Sequence, residues 1–196
     1  MKRMILASGS PRRKELLRQL IGDNFEIKTS SYEEKKDSPE PIRLVLDNSL
    51  GKARDVAKEF DSGIVISADT IVSFEGEILG KPKTKENTIE MLGKINGKYH
   101  DVITGMTVID IDNNKEIQDH EMTKVKMKKM TNEEIENYAN SGEPLDKAGA
   151  YAIQGIGSVF IEKIDGCYFN VDGLPLFKLN KILEELGVSI FEYKSK

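Results

Sequence analysis

The sequence predicts a mixed α/β fold in which parallel and antiparallel strands share one sheet. Short apolar runs rich in β-branched residues alternate with amphipathic helical stretches through the first third of the chain. Two long strand-like runs, residues 99–111 and 115–128, are separated only by Asp112-Asn113-Asn114, a spacing that closes an antiparallel pair. The alternation is not sustained as a βαβ repeat, which disfavours a simple doubly wound sheet.

The elements follow in order. Residues 4–7 form an apolar strand that runs into the small, polar turn Ser8-Gly9-Ser10. Ser10 suits an N-cap and Pro11 the first helical position, where a missing N–H costs nothing. Leu16, Leu17 and Leu20 give the helix over 12–20 one apolar face. Residues 25–29 predict a second strand, and the charged run 32–41 a loop. A long helix spans 41–60, with Leu44, Leu46, Leu50, Ala53, Val56 and Ala57 as its apolar positions. Residues 63–68 read as a buried central strand that continues through 70–74 beyond Asp69. Glu75-Gly76 turns it back into a short hairpin strand over 77–80.

Thr84 opens a helix carrying Ile89, Leu92 and Ile95, and Asn96-Gly97 stops it. After the long antiparallel pair, Thr131-Asn132-Glu133-Glu134 has the form of a capping box. Residues 144–149 predict a polar loop. Strands are expected over 150–153, 158–164 and 167–171, with Asp165-Gly166 as a hairpin turn. An amphipathic helix over 176–186, stopped by Gly187, completes the series.

The 196 residues favour one domain over 1–196. Hydrophobic residues make up 38% and charged residues 32%, a soluble balance, and no apolar run reaches membrane-spanning length. A net charge of −4 argues against a nucleic-acid polymer as partner, which asks for a basic excess. The single cysteine, Cys167, has no partner for an internal disulfide, and this fits a reducing cytoplasm. Cys167, His100 and His120 lack motif context and are expected to be structural.

Five local features carry chemistry. The strand–turn–helix at 4–20 points helix N–H groups past small side chains, and Arg12 and Arg13 supply guanidinium forks for phosphate oxygens. Taken alone, the same pattern describes a solvated helix start, and it is neither a Walker A loop nor a dinucleotide fingerprint. Asp69 interrupts an apolar strand and asks for a metal, a cation or a basic side chain. Lys81, held extended before Pro82, can reach across a cleft. Glu33-Glu34 reads either as solvated loop charge or as hard oxygen ligands for a divalent cation. Gln154, at the end of an apolar run, offers both a donor and an acceptor to a base edge, or a backbone hydrogen bond. Together these suit a nucleoside triphosphate with a divalent cation.

The ordered motifs Leu6-Ala7-Ser8-Gly9-Ser10-Pro11-Arg12-Arg13, Ala68-Asp69-Thr70, Gly80-Lys81-Pro82, Asp146-Lys147-Ala148-Gly149-Ala150-Tyr151, Ile153-Gln154-Gly155 and Gly173-Leu174-Pro175 closely resemble the Maf family, the septum formation inhibitor proteins. The resemblance runs from near residue 4 to near residue 180. It implies an inosine-triphosphatase-like fold, an elongated, mixed, twisted sheet flanked by helices with two lobes around a central cleft. It implies a homodimer that hydrolyses a nucleoside triphosphate to the monophosphate and pyrophosphate with Mg²⁺ or Mn²⁺.

The resemblance also implies residue roles. Asp69 matches the family's proton acceptor. Arg12, Thr70 and Gln154 match the specificity positions of the dTTP/UTP subgroup. Ser8, Gly9 and Arg13 would hold phosphate, and Arg12→Ala should relax substrate choice more than Arg13→Ala. Lys52 would face the cleft, and Lys81 would neutralise charge on the triphosphate. Glu34, which matches the family's acidic position better than Glu33, would hold the metal with Asp69. Alternatives from the same resemblance are a pyrophosphatase for 7-methyl-GTP or other modified nucleotides, and a non-catalytic nucleotide-sensing regulator of cell division. Roles in septum inhibition and nucleotide-pool house-cleaning are implied likewise. One departure is Asp172 before Gly173-Leu174-Pro175, where an apolar residue is expected; the two readings are a perturbed substrate pocket and a solvent-exposed acid.

Overall fold

Among the described residues seven strands form one mixed sheet, in the order Glu26–Ile27, Met4–Leu6, Ile64–Phe74, Tyr99–Asp110, Lys115–Met127, Ile161–Asp165, with Glu77–Leu79 paired to Ile64–Phe74, and helices flank it. The computed structural model describes residues 1–36 and 38–194. The chain order is β1 (Met4–Leu6), α1 (Pro11–Ile21), β2 (Glu26–Ile27), α2 (Pro41–Ala57), β3 (Ile64–Phe74) and β4 (Glu77–Leu79). It continues with α3 (Lys85–Ile95), β5 (Tyr99–Asp110), β6 (Lys115–Met127), α4 (Asn132–Asn140), β7 (Ile161–Asp165), α5 (Tyr168–Asp172), α6 (Leu176–Glu185) and α7 (Phe191–Lys194).

The contacts divide the chain into two units, the first of 1–69, 104–121 and 173–196, the second of 70–103 and 122–172. In the first unit β1 pairs parallel with both β2 and β3. Ile5, Ala7, Ala53, Val56 and Val65 form a buried cluster between this sheet and α2. Helix α1 buries Leu16, Leu17 and Ile21 and packs on α6 and α7. Gly105 brings the backbone of β5 against α2, where a Cβ would stand 2.6 Å from the Val45 carbonyl carbon. This close approach seats α2 on the sheet.

In the second unit, β3 and β4 form the antiparallel hairpin and β7 pairs antiparallel with β6. Its core gathers Val72, Leu79, Leu92, Ile95, Val102, Val125, Met127 and Tyr138, among others. Thr131 accepts from Glu134 N, and Glu134 accepts from Thr131 N, so the capping box of α4 forms as read.

Three expectations are corrected. The strand over 25–29 shortens to Glu26–Ile27, and the helix over 41–60 ends at Ala57. The apolar stripe of α2 also turns: Leu44, Val45, Asn48, Ser49, Lys52, Ala53 and Val56 are buried, whereas Leu46 and Leu50 are half-buried.

The largest difference lies at 148–172. Residues 148–150 and 155–160 are 3-10 turns, residues 151–153 belong to no strand, and residues 168–172 are helical. Only Ile161–Asp165 is a strand, and Gly166 leads into α5 rather than closing a hairpin. Gly149 and Ala150 have φ of 69° and 61°, which breaks any strand at its start. The apolar residues 150–153 are buried against core neighbours rather than on a sheet face.

Candidate active site

The first unit carries two hydrogen-bonded groups, Ser8 with Arg13 and Glu34 with Lys52 and Asp69, and the Asp69 and Glu34 carboxylates act electrostatically on Arg13. Strand β1 ends at Leu6, and Ala7 N still donates to Ile66 O at 2.8 Å. Ser10 then caps α1 by accepting from Arg13 N, with Pro11 at the first helical position. Ser8 Oγ accepts from Ser10 N at 3.2 Å and from the Arg13 guanidinium at 3.4 Å. Arg13 Nε donates to Gly173 O at 2.8 Å, so this arginine ties the turn to the segment before α6. Burial pushes the Arg13 guanidinium below its usual range, and the Asp69 and Glu34 carboxylates oppose that shift. Gly9 is exposed, and a Cβ there would make one tight contact, with Thr29 Cγ2 at 3.2 Å.

Asp69 sits at the end of the first unit's stretch of β3, 8% exposed. Its carboxylate is partnered on both oxygens. Lys52 Nζ donates to Oδ1 at 2.9 Å, and Asn48 Nδ2 donates to Oδ2 at 3.0 Å. Lys52 Nζ also donates to Glu34 Oε1 at 2.7 Å. Of the partners the sequence left open for Asp69, a basic side chain is therefore present, and the same ammonium joins the two predicted metal-ligating acids. Glu34 reaches this position because its loop lies on α2 at Gly51. A Cβ at Gly51 would stand 2.3 Å from the Tyr32 ring.

Asn48 is the residue the sequence reading missed. It is 2% exposed and exchanges hydrogen bonds with the backbone of Lys35, giving through Nδ2 and accepting through Oδ1, both at 2.9 Å. One side chain thus fixes the acidic loop and Asp69 together. The signal was present: Asn48 and Lys52 are polar residues one turn apart on the buried stripe of a helix. Polar residues on such a stripe ask for partners.

Thr70, half-buried, follows Asp69 in β3 and begins the second unit. In that unit Lys81 is exposed, between Gly80, whose carbonyl accepts from Gly149 N at 3.2 Å, and the buried Pro82. Gln154 is exposed, and its Nε2 donates to Asp172 Oδ2 at 2.7 Å. Asp172 is 4% exposed, which rules out the solvent-exposed reading of this acid. Glu143 accepts from Ile156 N, Gly157 N and the Tyr138 hydroxyl at 2.8–2.9 Å and so pins the turn that follows Gln154. Arg12, on the first turn of α1, is half-buried.

His100 is 3% exposed and bonded through Nε2 to the Tyr151 hydroxyl at 2.7 Å, and Cys167 bonds through its backbone to Thr123. Among the described residues, no group of three or more His, Cys, Asp or Glu side chains converges as a metal cage. Among them no helix is long and apolar enough to cross a membrane.

The model of the Maf-like protein family matches residues 3–186. A protein of Methanosarcina mazei named dTTP/UTP pyrophosphatase is 58% identical over 193 residues, covering 98% of each chain. A protein of the same name from Methanococcoides burtonii is 57% identical over 98% of this chain and 99% of its own. Another of that name, from Clostridium botulinum, is 48% identical over 97% of this chain and 100% of its own. Among solved structures, the Staphylococcus aureus Ham1 protein aligns with a TM-score of 0.48 at 15% identity, over 64% of this chain and 72% of that one.

Proposed function

The chain belongs to the Maf-like family, and from that premise we propose that it hydrolyses dTTP and UTP to the nucleoside monophosphate and pyrophosphate. The observation that carries the chemistry is the carboxylate of Asp69, buried and held on both oxygens by Lys52 and Asn48. A carboxylate fixed in this way is oriented before substrate arrives, as a proton acceptor must be. The relatives' shared name supplies the substrate class.

In this reading water attacks the α-phosphorus. A new P–O bond forms there, the bond from the α-phosphorus to the bridging oxygen breaks, and that oxygen leaves with pyrophosphate. Asp69 takes the proton from the attacking water. Arg13, Lys52 and the N–H groups around Ser8 and Gly9 offset charge on the phosphates, and Lys81 adds a further cation. Arg12, Thr70 and Gln154 choose the base.

Glu34 and Asp69 fit a divalent cation: two hard carboxylates already converge on one ammonium, at 2.7 and 2.9 Å. These residues would hold Mg²⁺ or Mn²⁺, with remaining ligands from triphosphate and water, and the ion would supply charge neutralisation on the phosphates. The same reading carries a homodimer in the cytoplasm. It includes no nucleic-acid polymer as partner, supported by the net charge of −4.

A nucleotide panel with Mg²⁺, in water enriched in ¹⁸O, tests the proposal. The expected result is turnover of dTTP and UTP, pyrophosphate as product, label in the monophosphate and no turnover by Asp69→Asn. Orthophosphate as the first product, a preference for 7-methyl-GTP, or tight binding without hydrolysis would overturn it. Sedimentation of the full chain reads the dimer.

A further inference from the structure

Asp172 is the one acid in an otherwise buried segment, flanked by Val171, Gly173, Leu174 and Pro175. A buried carboxylate is costly without hydrogen bonds, so its presence calls for a donor. Gln154 provides one, through Nε2 at 2.7 Å. The contact has a directional consequence. The two ends of a glutamine amide are nearly equal in size, and an exposed glutamine can turn either end toward a ligand. An ionised carboxylate accepts hydrogen bonds and does not donate them. Facing Asp172, the amide presents Nε2 inward, and its Oε1 is turned away from the acid.

The backbone beside Gln154 is fixed as well. Glu143 holds the N–H groups of Ile156 and Gly157, and the Tyr138 hydroxyl holds Ala152 N at 3.1 Å. The side chain is therefore constrained at its root by the chain and at its tip by Asp172.

We propose that Asp172 is a positioning residue for base choice, acting through Gln154. With Nε2 committed to Asp172, Oε1 accepts from a ring N–H, and the second amide hydrogen donates to an exocyclic oxygen beside it. Uracil and thymine present that pattern at N3–H and a neighbouring carbonyl. Cytosine presents the inverse, a ring acceptor beside an exocyclic amine, and meets an amide held the wrong way round. This inference rests on the reading of Gln154 as the base-reading residue.

The test compares kcat/KM for UTP and CTP in wild type, Asp172→Val and Asp172→Asn, each also in a Gln154→Ala background. Asp172→Val removes the acceptor and should lower the UTP-to-CTP ratio about tenfold, mainly through KM. Asp172→Asn keeps an acceptor but adds a donor, and should lower the ratio by a smaller factor. In the Gln154→Ala background neither change should move the ratio further, because the residue acts only through that amide. A folded Asp172→Val enzyme with an unchanged ratio would overturn the proposal, as would an equal drop without Gln154. Where Asp172→Val fails to fold, the Asn variant in the two backgrounds decides by the same criterion. A wild type that hydrolyses UTP and CTP equally defeats the base-reading assignment itself, whereas a selective wild type with an indifferent Asp172 defeats only this inference.

Discussion

Asn48 Nδ2 donates to Asp69 Oδ2 at 3.0 Å while the same amide clasps the backbone of Lys35. Helix α2 therefore controls both the carboxylate in β3 and the loop that carries Glu34. Asn48→Ala should leave Asp69 held by Lys52 alone, free to rotate on one side. Losing one hydrogen bond to a charged group is worth about 1.5–3 kcal/mol, which lowers kcat by roughly ten- to a hundredfold. Asn48→Asp should lower it further, because it sets a second negative charge against Asp69. Steady-state kinetics with UTP, beside a urea melt to separate folding from catalysis, check both.

Lys52 and Asp69 form a buried ion pair, with side chains 10% and 11% exposed. Removing one partner of such a pair strands the other charge and costs about 3–5 kcal/mol. Lys52→Met should therefore destabilise the protein by that order. Adding Asp69→Asn to Lys52→Met removes the stranded charge and should recover part of the loss, although neither variant turns over substrate. Chemical denaturation of the single and double variants reads the coupling. If the double variant is less stable than Lys52→Met, the pair is not what sets the cost.

His100 gives the protein a titration that acts on stability rather than on the site. Burial pulls its imidazole down to about 4 from 6.5, and Nδ1 is buried without a hydrogen-bond partner among the described residues. The Tyr151 hydroxyl, which faces Nε2, is pushed up by its own burial and stays protonated. Between pH 6.5 and 4 the unfolded chain binds a proton that the folded chain refuses. Stability therefore rises with pH across this window and is lost as pH falls through it, at about 1.4 kcal/mol per pH unit. Urea unfolding at pH 6.5 and 5 should differ by about 2 kcal/mol from this group. His100→Gln should flatten that slope whatever it does to stability at pH 7.

Much of the fold is legible in the chain because its signals are local. Ser10-Pro11 caps α1, Thr131 and Glu134 close a box on α4, and Asp112-Asn113-Asn114 turns β5 into β6. The site was legible as residue types, through Asp69 within an apolar strand and Glu34 in a charged loop. What joins them was not, since Asn48 acts through partners 13 and 21 residues away. Residues 148–172 misled for a related reason. Runs such as Tyr168-Phe169-Asn170-Val171 have strand composition, yet Asn170 is buried with Nδ2 on Val102 O and Thr123 Oγ1 at 2.9 Å, contacts made from a helical turn. Local preference yields there to burial and tertiary hydrogen bonds.

The turn after Gln154 is likewise held by tertiary contacts. Glu143 accepts three hydrogen bonds there, and these outweigh its desolvation and hold the carboxyl below its usual range. Gly157 sits so close to this network that a Cβ would stand 2.4 Å from the Tyr138 hydroxyl and 2.5 Å from Ala152 O. Because the carboxyl is depressed, its contribution is present above the unfolded pKa and is lost as pH falls through the folded one. Glu143→Ala strips partners from Tyr138 and two backbone N–H groups, and should cost about 2–3 kcal/mol at pH 7. Gly157→Ala should cost a similar amount through forced displacement of Ala152 and Tyr138. Both changes act on the backbone that carries Gln154, so both should also blur the choice between UTP and CTP. Neither touches Asp69, so the rate with saturating UTP should fall far less than it does in Asn48→Ala. Paired denaturation and nucleotide-competition assays separate the two effects, and a loss of rate equal to that of Asn48→Ala would show that this turn serves more than base choice.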